Sequence, residues 1–239
     1  MTFTNFATCL FLSLAIFTAN AQDDNKENNP NRVEVSSQKG LELKSYAQMQ
    51  KGLKAYAEYK ALAPNSELFF ILIPKSKNLG LDGITMRLAS DESSIAIPID
   101  TKGKFQLQDI TLQRDDEYDL ILNKPKGQFY FKPYVKSENL ADNVKRLGDL
   151  RLECQVRWAV EKQDVSIIFL THVKLFASGN PCTSRAVKVY YFAPPGVKKV
   201  VLTTPQSTIE KKIDSDGQYY LPIWDSSITD DALVQYEME

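Results

Sequence analysis

The chain has 239 residues, and its 29 lysines and arginines nearly balance its 30 aspartates and glutamates, which gives a formal net charge of −1. A charge so close to zero gives no electrostatic reason to expect nucleic acid or an anionic membrane surface as a partner. The only long apolar stretch lies at the N-terminus, so the rest of the chain is predicted to contain no membrane span.

The first 21 residues have the layout of a secretory signal peptide. They carry no charged side chain, they contain the apolar run LFLSLAIF at 10–17, and Ala19 and Ala21 occupy the small-residue positions before a cleavage site. The apolar run is shorter than the roughly 20 residues that span a bilayer, but no Lys or Arg precedes it, so an uncleaved anchor is the alternative. Cleavage predicts a periplasmic or secreted protein with a disordered leader at 22–40.

Two cysteines, Cys154 and Cys182, remain once residues 1–21 are removed. In an oxidising compartment a single pair is most simply a disulfide bond, and it would close a loop of about 29 residues and stabilise the fold by about 3 kcal/mol. Two free thiols or a metal-binding pair are the alternatives. His172 is the only histidine, so soft ligands are few and no metal site is predicted.

In chain order, the first predicted element after the leader is an amphipathic helix at 41–64. Large apolar side chains recur there at spacings of three and four residues, and Pro64 ends the pattern. At 65–135 the period changes towards two, and short runs rich in β-branched and aromatic residues alternate with turn residues. This pattern predicts a first antiparallel β-domain.

The segment 136–183 is predicted to be a helical connector that carries the disulfide bond. Leu150, Cys154 and Trp158 share one helical face, and Asp149 is placed to cap the helix. The alternation of apolar and polar residues at 150–160 also fits a strand, but the length of the segment and its good helix formers favour a helix. A second helix is expected at 164–177, and a second β-domain at 184–239.

The two predicted β-domains share an internal repeat. A shift of 114 residues lays 88–107 (LASDESSIAIPIDTKGKFQL) over 202–221 (LTTPQSTIEKKIDSDGQYYL) without a gap, with seven of the twenty positions identical. Chance gives roughly one identity at typical residue frequencies. The segments FFILIP at 69–74 and YYFAPP at 190–195 precede the two copies, which suggests two related domains.

Both copies contain an I-D-x-x-G-x-[F/Y] motif. Asp100 and Asp214 are expected to accept hydrogen bonds from backbone N–H groups at the start of a turn, and Gly103 and Gly217 to supply the positive φ that the turn requires. Spaced carboxylates before Gly217 also suggest part of a calcium loop, but the equivalent position of the first copy is Lys102, which would repel the ion.

This hairpin motif resembles that of carboxypeptidase-regulatory-like and transthyretin-like β-sandwich domains, over 88–107 and 202–221. The resemblance implies a β-sandwich fold and a non-catalytic accessory role. We therefore expect an α+β fold with two related antiparallel β-sandwich-like domains, an N-terminal helix and a helical, disulfide-clasped connector.

No residue pattern singles out a catalytic centre. His172 is accompanied by no G-x-S-x-G elbow, and the chain has no phosphate-binding glycine loop. The acidic pairs Asp115-Asp116 and Asp230-Asp231 are interpreted as solvated loop residues. One aromatic cluster is expected to pack between the domains, with a sugar-stacking or partner surface as the alternative: Phe129, Tyr130, Phe131 and Tyr134.

The sequence thus predicts a non-catalytic binding or assembly module of a bacterial-type cell envelope, without a cofactor. An envelope protein or a polysaccharide is the expected partner. The alternative is a hydrolase that acts on envelope polymers through loop carboxylates.

Overall fold

A computed structural model describes residues 40–108 and 118–238. The predicted signal peptide, the leader up to residue 39 and Asp115-Asp116 therefore lie outside the described residues. The described residues belong to one compact unit.

The secondary structure elements fall into two halves of the chain, 41–125 and 144–237, with one strand between them. The first half comprises β1 (Leu41–Ser45), α1 (Tyr46–Glu58), a short 3₁₀ helix (Lys60–Leu62), β2 (Ser66–Pro74), β3 (Met86–Ala89), β4 (Ser94–Ile97), β5 (Lys104–Phe105) and β6 (Asp119–Pro125). The linking strand is β7 (Phe129–Ser137). The second half comprises β8 (Val144–Arg146), α2 (Leu147–Glu161), α3 (Ile167–Phe176), a 3₁₀ helix (Pro181–Thr183), β9 (Tyr191–Phe192), β10 (Lys199–Thr203), β11 (Thr208–Lys212), β12 (Gln218–Tyr219) and β13 (Leu233–Glu237).

The N-terminal helix is shorter than the predicted 41–64. Leu41–Ser45 is strand β1, which pairs antiparallel with β6, because its apolar and polar residues alternate and its backbone completes the edge of a sheet. The helix begins at Tyr46, whose N–H still donates to the carbonyl of Tyr118, and it ends at Glu58.

The first half and β7 form two antiparallel sheets around one core. The strand orders are β1-β6-β3-β4 and β5-β2-β7. Phe70 and Leu72 of one sheet and Leu88 and Leu120 of the other are almost fully buried in the same hydrophobic cluster, as in a sandwich.

The second half repeats this arrangement with fewer strands. Its sheets have the orders β11-β10-β13-β8 and β12-β9. Val200, Leu202 and Val234 of the larger sheet share a buried cluster with Tyr191 and Tyr219 of the smaller one. The α+β class, the antiparallel sheets and the helices of the prediction are therefore confirmed.

The strand registers of the two halves correspond residue by residue. Leu88 pairs with Ile95 and Leu120, and Leu202, which lies 114 residues further along the chain, pairs with Ile209 and Val234. The pair Phe70–Phe105 likewise has its counterpart in Tyr191–Tyr219.

The correspondence extends to the helices. The N–H of Tyr46, at the start of α1, donates to Tyr118, and the N–H of Leu147, at the start of α2, donates to Ala232, 114 residues after Tyr118. Strand β1 leads into α1 as β8 leads into α2. The helix that was predicted as part of the connector thus occupies the place in the second half that α1 has in the first.

Helix α2 lies between the two cores and contributes to both. Leu152 and Val156 belong to the first cluster, whereas Leu147 and Leu150 belong to the second. The segment 150–160 is a helix, as the sequence favours. Its alternating polar residues are at least partly buried as well, because α2 contacts both cores. Asp149 does not cap the helix from the N-cap position but lies at the third helical position, where its carboxylate accepts from the N–H of Arg146.

The predicted disulfide bond between Cys154 and Cys182 is confirmed. The sulfur atoms are 2.02 Å apart and the Cα atoms 5.7 Å. Both cysteines are buried in the second core, so the bond joins the middle of α2 to the 3₁₀ helix that follows α3.

The two predicted turns have the same geometry. Oδ1 of Asp100 accepts from the N–H groups of Lys102 and Lys104, both at 2.8 Å, and Gly103 has a φ of 80°. Asp214 accepts in the same way from Asp216 and Gln218, at 3.0 and 2.7 Å, and Gly217 has a φ of 77°. These four residues therefore form two matching tight turns, but the strands on either side of each turn, β4 and β5 or β11 and β12, lie in different sheets, so the turns are not the predicted hairpins.

Replacing either turn aspartate by alanine should lower the free energy of unfolding by about 1 kcal/mol, because two backbone N–H groups lose an acceptor that water replaces only in part. Asp100→Ala and Asp214→Ala should cost similar amounts, and the asparagine variants, which keep an acceptor oxygen, should cost less. Urea unfolding measures the midpoints. A turn variant with the wild-type midpoint would contradict this role for its aspartate.

Candidate binding surface

The most unusual feature of the fold is helix α3, Ile167–Phe176, with the sequence IIFLTHVKLF. Ser166 starts the helix, since its hydroxyl oxygen accepts from the N–H of Phe169. The helix ends at Phe176. Ser178 and Gly179, just beyond it, both have positive φ, and the N–H of Gly179 donates to the carbonyl of Val173.

Helix α3 is apolar yet exposed. A helix of such composition is normally buried on all sides, but only Val173 of α3 is buried. Ile167 and Ile168 are each 79% exposed, Leu175 is 70% exposed and Phe176 is 62% exposed. Among the described residues, five of the twelve exposed large apolar side chains lie on this one helix, and a concentration of exposed apolar side chains is typical of interaction sites.

The exposed helix is held on its inner side. Val173 and Ala177 are buried, and the ring of Phe169 lies edge-to-face on Trp158 of α2, with centroids 6.4 Å apart. The indole N–H of Trp158 donates to the carbonyl of Gly179. Together with the disulfide bond, these contacts fix both ends of α3 against α2, so the outer side chains are presented on a constrained element.

A basic surface adjoins the C-terminal end of α3. The hydroxyl of Ser184 donates to the carbonyl of Phe176, which places Arg185 next to the helix end. Arg185 also lines a cavity of about 240 Å³ together with Lys188, Tyr220 and Trp224. We call α3 and the adjoining residues 184–188 the α3 surface.

A buried polar cluster joins α2 to β7. The N–H of Val135 donates to the carboxylate of Glu153, at 2.7 Å, and the N–H of Ser137 donates to that of Asp149, at 3.2 Å. N–H groups alternate in direction along a strand, and position 133 on the same edge is a proline, which has no N–H. At these three positions, the edge of β7 that faces away from β2 therefore has no N–H group left to pair with a further strand.

The charge of Glu153 is compensated inside the protein. Its carboxylate forms an ion pair with the ammonium group of Lys145, and both side chains are almost fully buried. Burial raises the pKa of the Glu153 carboxyl, and Lys145 opposes that shift. Burial also raises the pKa of the neighbouring Tyr134 to about 12, with the negative charge of Glu153 as the next cause. Since both acids bind backbone groups, this cluster holds the two halves together.

The four aromatic residues predicted to pack between the domains lie in different environments. Phe129 and Phe131 are buried in the first core. Tyr130 is partly exposed and contacts Phe192 of the second half, with ring centroids 5.4 Å apart. Tyr134 lies beneath the ammonium groups of Lys104 and Lys145.

The remaining candidates do not converge on one cleft. His172 is exposed on α3, with its ring 4.8 Å from that of Phe176. Asp230 pairs with Arg151, and Asp231 with Arg146. Within residues 40–108 and 118–238, no group of three His, Cys, Asp or Glu side chains could hold a metal ion.

Sequence reasoning placed α3 correctly as a helix but did not identify its exposure. The one available signal was an apolar composition too uniform for an amphipathic helix, and that composition ordinarily indicates burial. In the described part of the chain, no helix is long and apolar enough to cross a membrane.

Comparisons with protein-family models, with curated proteins and with solved structures found no match for this chain.

Proposed function

We propose that this protein is an exported, non-catalytic binding module that docks its partner on the α3 surface. The observation that carries the proposal is the exposure of Ile167, Ile168, Leu175 and Phe176 on a helix fixed by a disulfide bond. The hydration of exposed apolar side chains is unfavourable, so a partner that covers them is bound favourably.

A comparison of the two halves supports the assignment of α3 to function rather than to folding. We interpret the matching registers as two copies of one unit, in line with the sequence repeat. In the first copy, residues 59–65 suffice to connect α1 to β2, whereas the second copy uses 162–190 to connect α2 to β9. Helix α3 is thus an insertion, and insertions in repeat proteins commonly form the binding face.

The proposed location is the periplasm or the extracellular space. The signal-like segment at 1–21 and the disulfide bond support it, because disulfide bonds persist in oxidising compartments. The resemblance to carboxypeptidase-regulatory-like and transthyretin-like domains agrees with an accessory role. An envelope component is the partner class that we propose.

Photo-crosslinking tests the proposal even while the partner is unidentified. A photoreactive phenylalanine analogue placed at position 168 or 175 should crosslink to an envelope component, because both side chains face outwards. Position 233 is the matched control: Leu233 is 45% exposed but pairs with Arg146 at the other end of α2. Crosslinks at 168 and 175 that exceed those at 233 would support the proposal, and equal yields at all three positions would overturn it.

A further inference from the structure

We infer that the partner of the α3 surface is an anionic lipid bilayer, on which α3 lies parallel to the membrane plane. This inference rests on the proposed function and adds the identity of the partner. It depends on three properties of the α3 surface: its apolar side chains, its local charge and its dimensions.

The exposed side chains of α3 are of the types that interfacial helices bury, although α3 itself is more uniformly apolar than such helices and carries one charged residue, Lys174. Such helices bury isoleucine, leucine and phenylalanine at the boundary between headgroups and acyl chains and keep basic residues beside them. Ile168 and Leu175 are seven residues apart and share the outward face of α3. Between them lies Thr171, whose hydroxyl donates to the carbonyl of Ile167 at 2.8 Å, so this polar group is already satisfied when the helix enters the interface.

The local charge is opposite to that of the whole chain. Residues 162–190 contain four basic side chains and one acidic side chain, Asp164, so this segment is positive although the chain has a net charge of −1. Asp164 is itself paired with Lys44 at 2.6 Å. The basic residues are Lys162, Lys174, Arg185 and Lys188. Their charge complements phosphate headgroups.

The same charge argues against a second copy of this chain as the partner. A symmetric dimer through α3 would bring Lys174 and Arg185 of one chain towards the same positive segment of the other, and like charges in a contact are destabilising. A bilayer offers the apolar side chains a nonpolar medium and the basic side chains negative counter-charges at once.

The dimensions of α3 fit an interfacial position. Its ten residues have a length of about 15 Å, half the thickness of the hydrocarbon core. Arg185 continues the surface towards Trp224 and Tyr220, and tryptophan and tyrosine are enriched where membrane and water meet.

Vesicle flotation tests the inference. The protein is used as recovered from the cell, with its N-terminus determined by intact mass, and mixed with vesicles of phosphatidylcholine alone or with an equal part of phosphatidylglycerol. The wild type should bind the anionic vesicles more strongly, and added salt should weaken the binding. Any binding by residues 1–21 is common to all variants and does not respond to the substitutions.

Two variants and two controls assign the binding to α3. Ile168→Glu should weaken binding about tenfold or more, because an isoleucine side chain that the bilayer would bury is replaced by a charged one, and Lys174→Gln should weaken it about fivefold. Leu233→Glu and Lys77→Gln alter exposed residues elsewhere and should leave binding unchanged. Since the substituted side chains are exposed, each variant should keep the wild-type unfolding midpoint.

The outcomes separate the inference from the proposed function. Absence of wild-type binding to anionic vesicles, or equal binding by Ile168→Glu, would overturn the lipid inference. Crosslinks from position 168 to a protein, or a dimer that Ile168→Glu dissociates in sedimentation velocity, would overturn it as well while leaving the docking role of α3 in place. Absence of both crosslinks and vesicle binding would overturn both.

Discussion

Replacing Lys145 by methionine should lower the free energy of unfolding by about 3–5 kcal/mol, because the variant leaves the carboxylate of Glu153 buried without its cation. Lys145 and Glu153 are 4% and 6% exposed, so water cannot replace the lost partner. The midpoint of urea unfolding should fall while the slope of the transition stays the same.

A surface lysine provides the matched control. Lys199 pairs with Glu210 and Glu237 at 3.2 and 3.1 Å, but all three side chains are about one-third exposed or more, and ion pairs between exposed side chains contribute little to stability. Lys199→Met should therefore change the midpoint only slightly. Equal losses in Lys145→Met and Lys199→Met would contradict the larger contribution of the buried pair to stability.

Removing the disulfide bond should lower the free energy of unfolding by about 3 kcal/mol, as expected for a loop of this length. The double variant Cys154→Ser/Cys182→Ser avoids a free thiol. It should also increase hydrogen exchange at α3 more than at α1, because the bond closes the loop that contains α3 and does not touch α1.

The response to a reductant distinguishes the effect of losing the disulfide bond from the effect of the serine substitutions themselves. Reduction should lower the unfolding midpoint of the wild type towards that of the double variant and leave the double variant unchanged. Identical midpoints for the oxidised wild type and the double variant, or exchange at α3 that does not change, would contradict this role of the bond.

The elements with a local physical cause were predictable from the sequence. The disulfide bond follows from two cysteines in a chain that the sequence predicts to be exported, and α2 follows from its helix formers. The turns follow from an aspartate that accepts N–H groups and a glycine with positive φ. Each of these depends on residues close in sequence or on the compartment.

The elements that depend on distant partners were not predictable in the same way. The sequence pattern assigns Leu41–Ser45 to the helix, because a five-residue strand directly before a helix has a weak pattern of its own. This segment is a strand because it pairs with β6. The three residues of β8 are a strand only because β13 lies beside them. The ion pair of Lys145 and Glu153 requires β8 and α2 to be in place first.

The candidate surface shows the main limit of sequence interpretation for this protein. A net charge close to zero gives no indication of an anionic partner. That charge is a sum over the whole chain, however, whereas residues 162–190 are locally positive. An apolar helix indicates a core element, but α3 is exposed, and the first half connects α1 to β2 without a second α-helix.

The most direct test of the central claim, that the α3 surface is the docking site, is the crosslinking yield at position 168 compared with position 233 in the same envelope preparation. We predict a high yield at 168 and a background yield at 233. A background yield at 168, in a protein that unfolds at the wild-type midpoint, would contradict the claim.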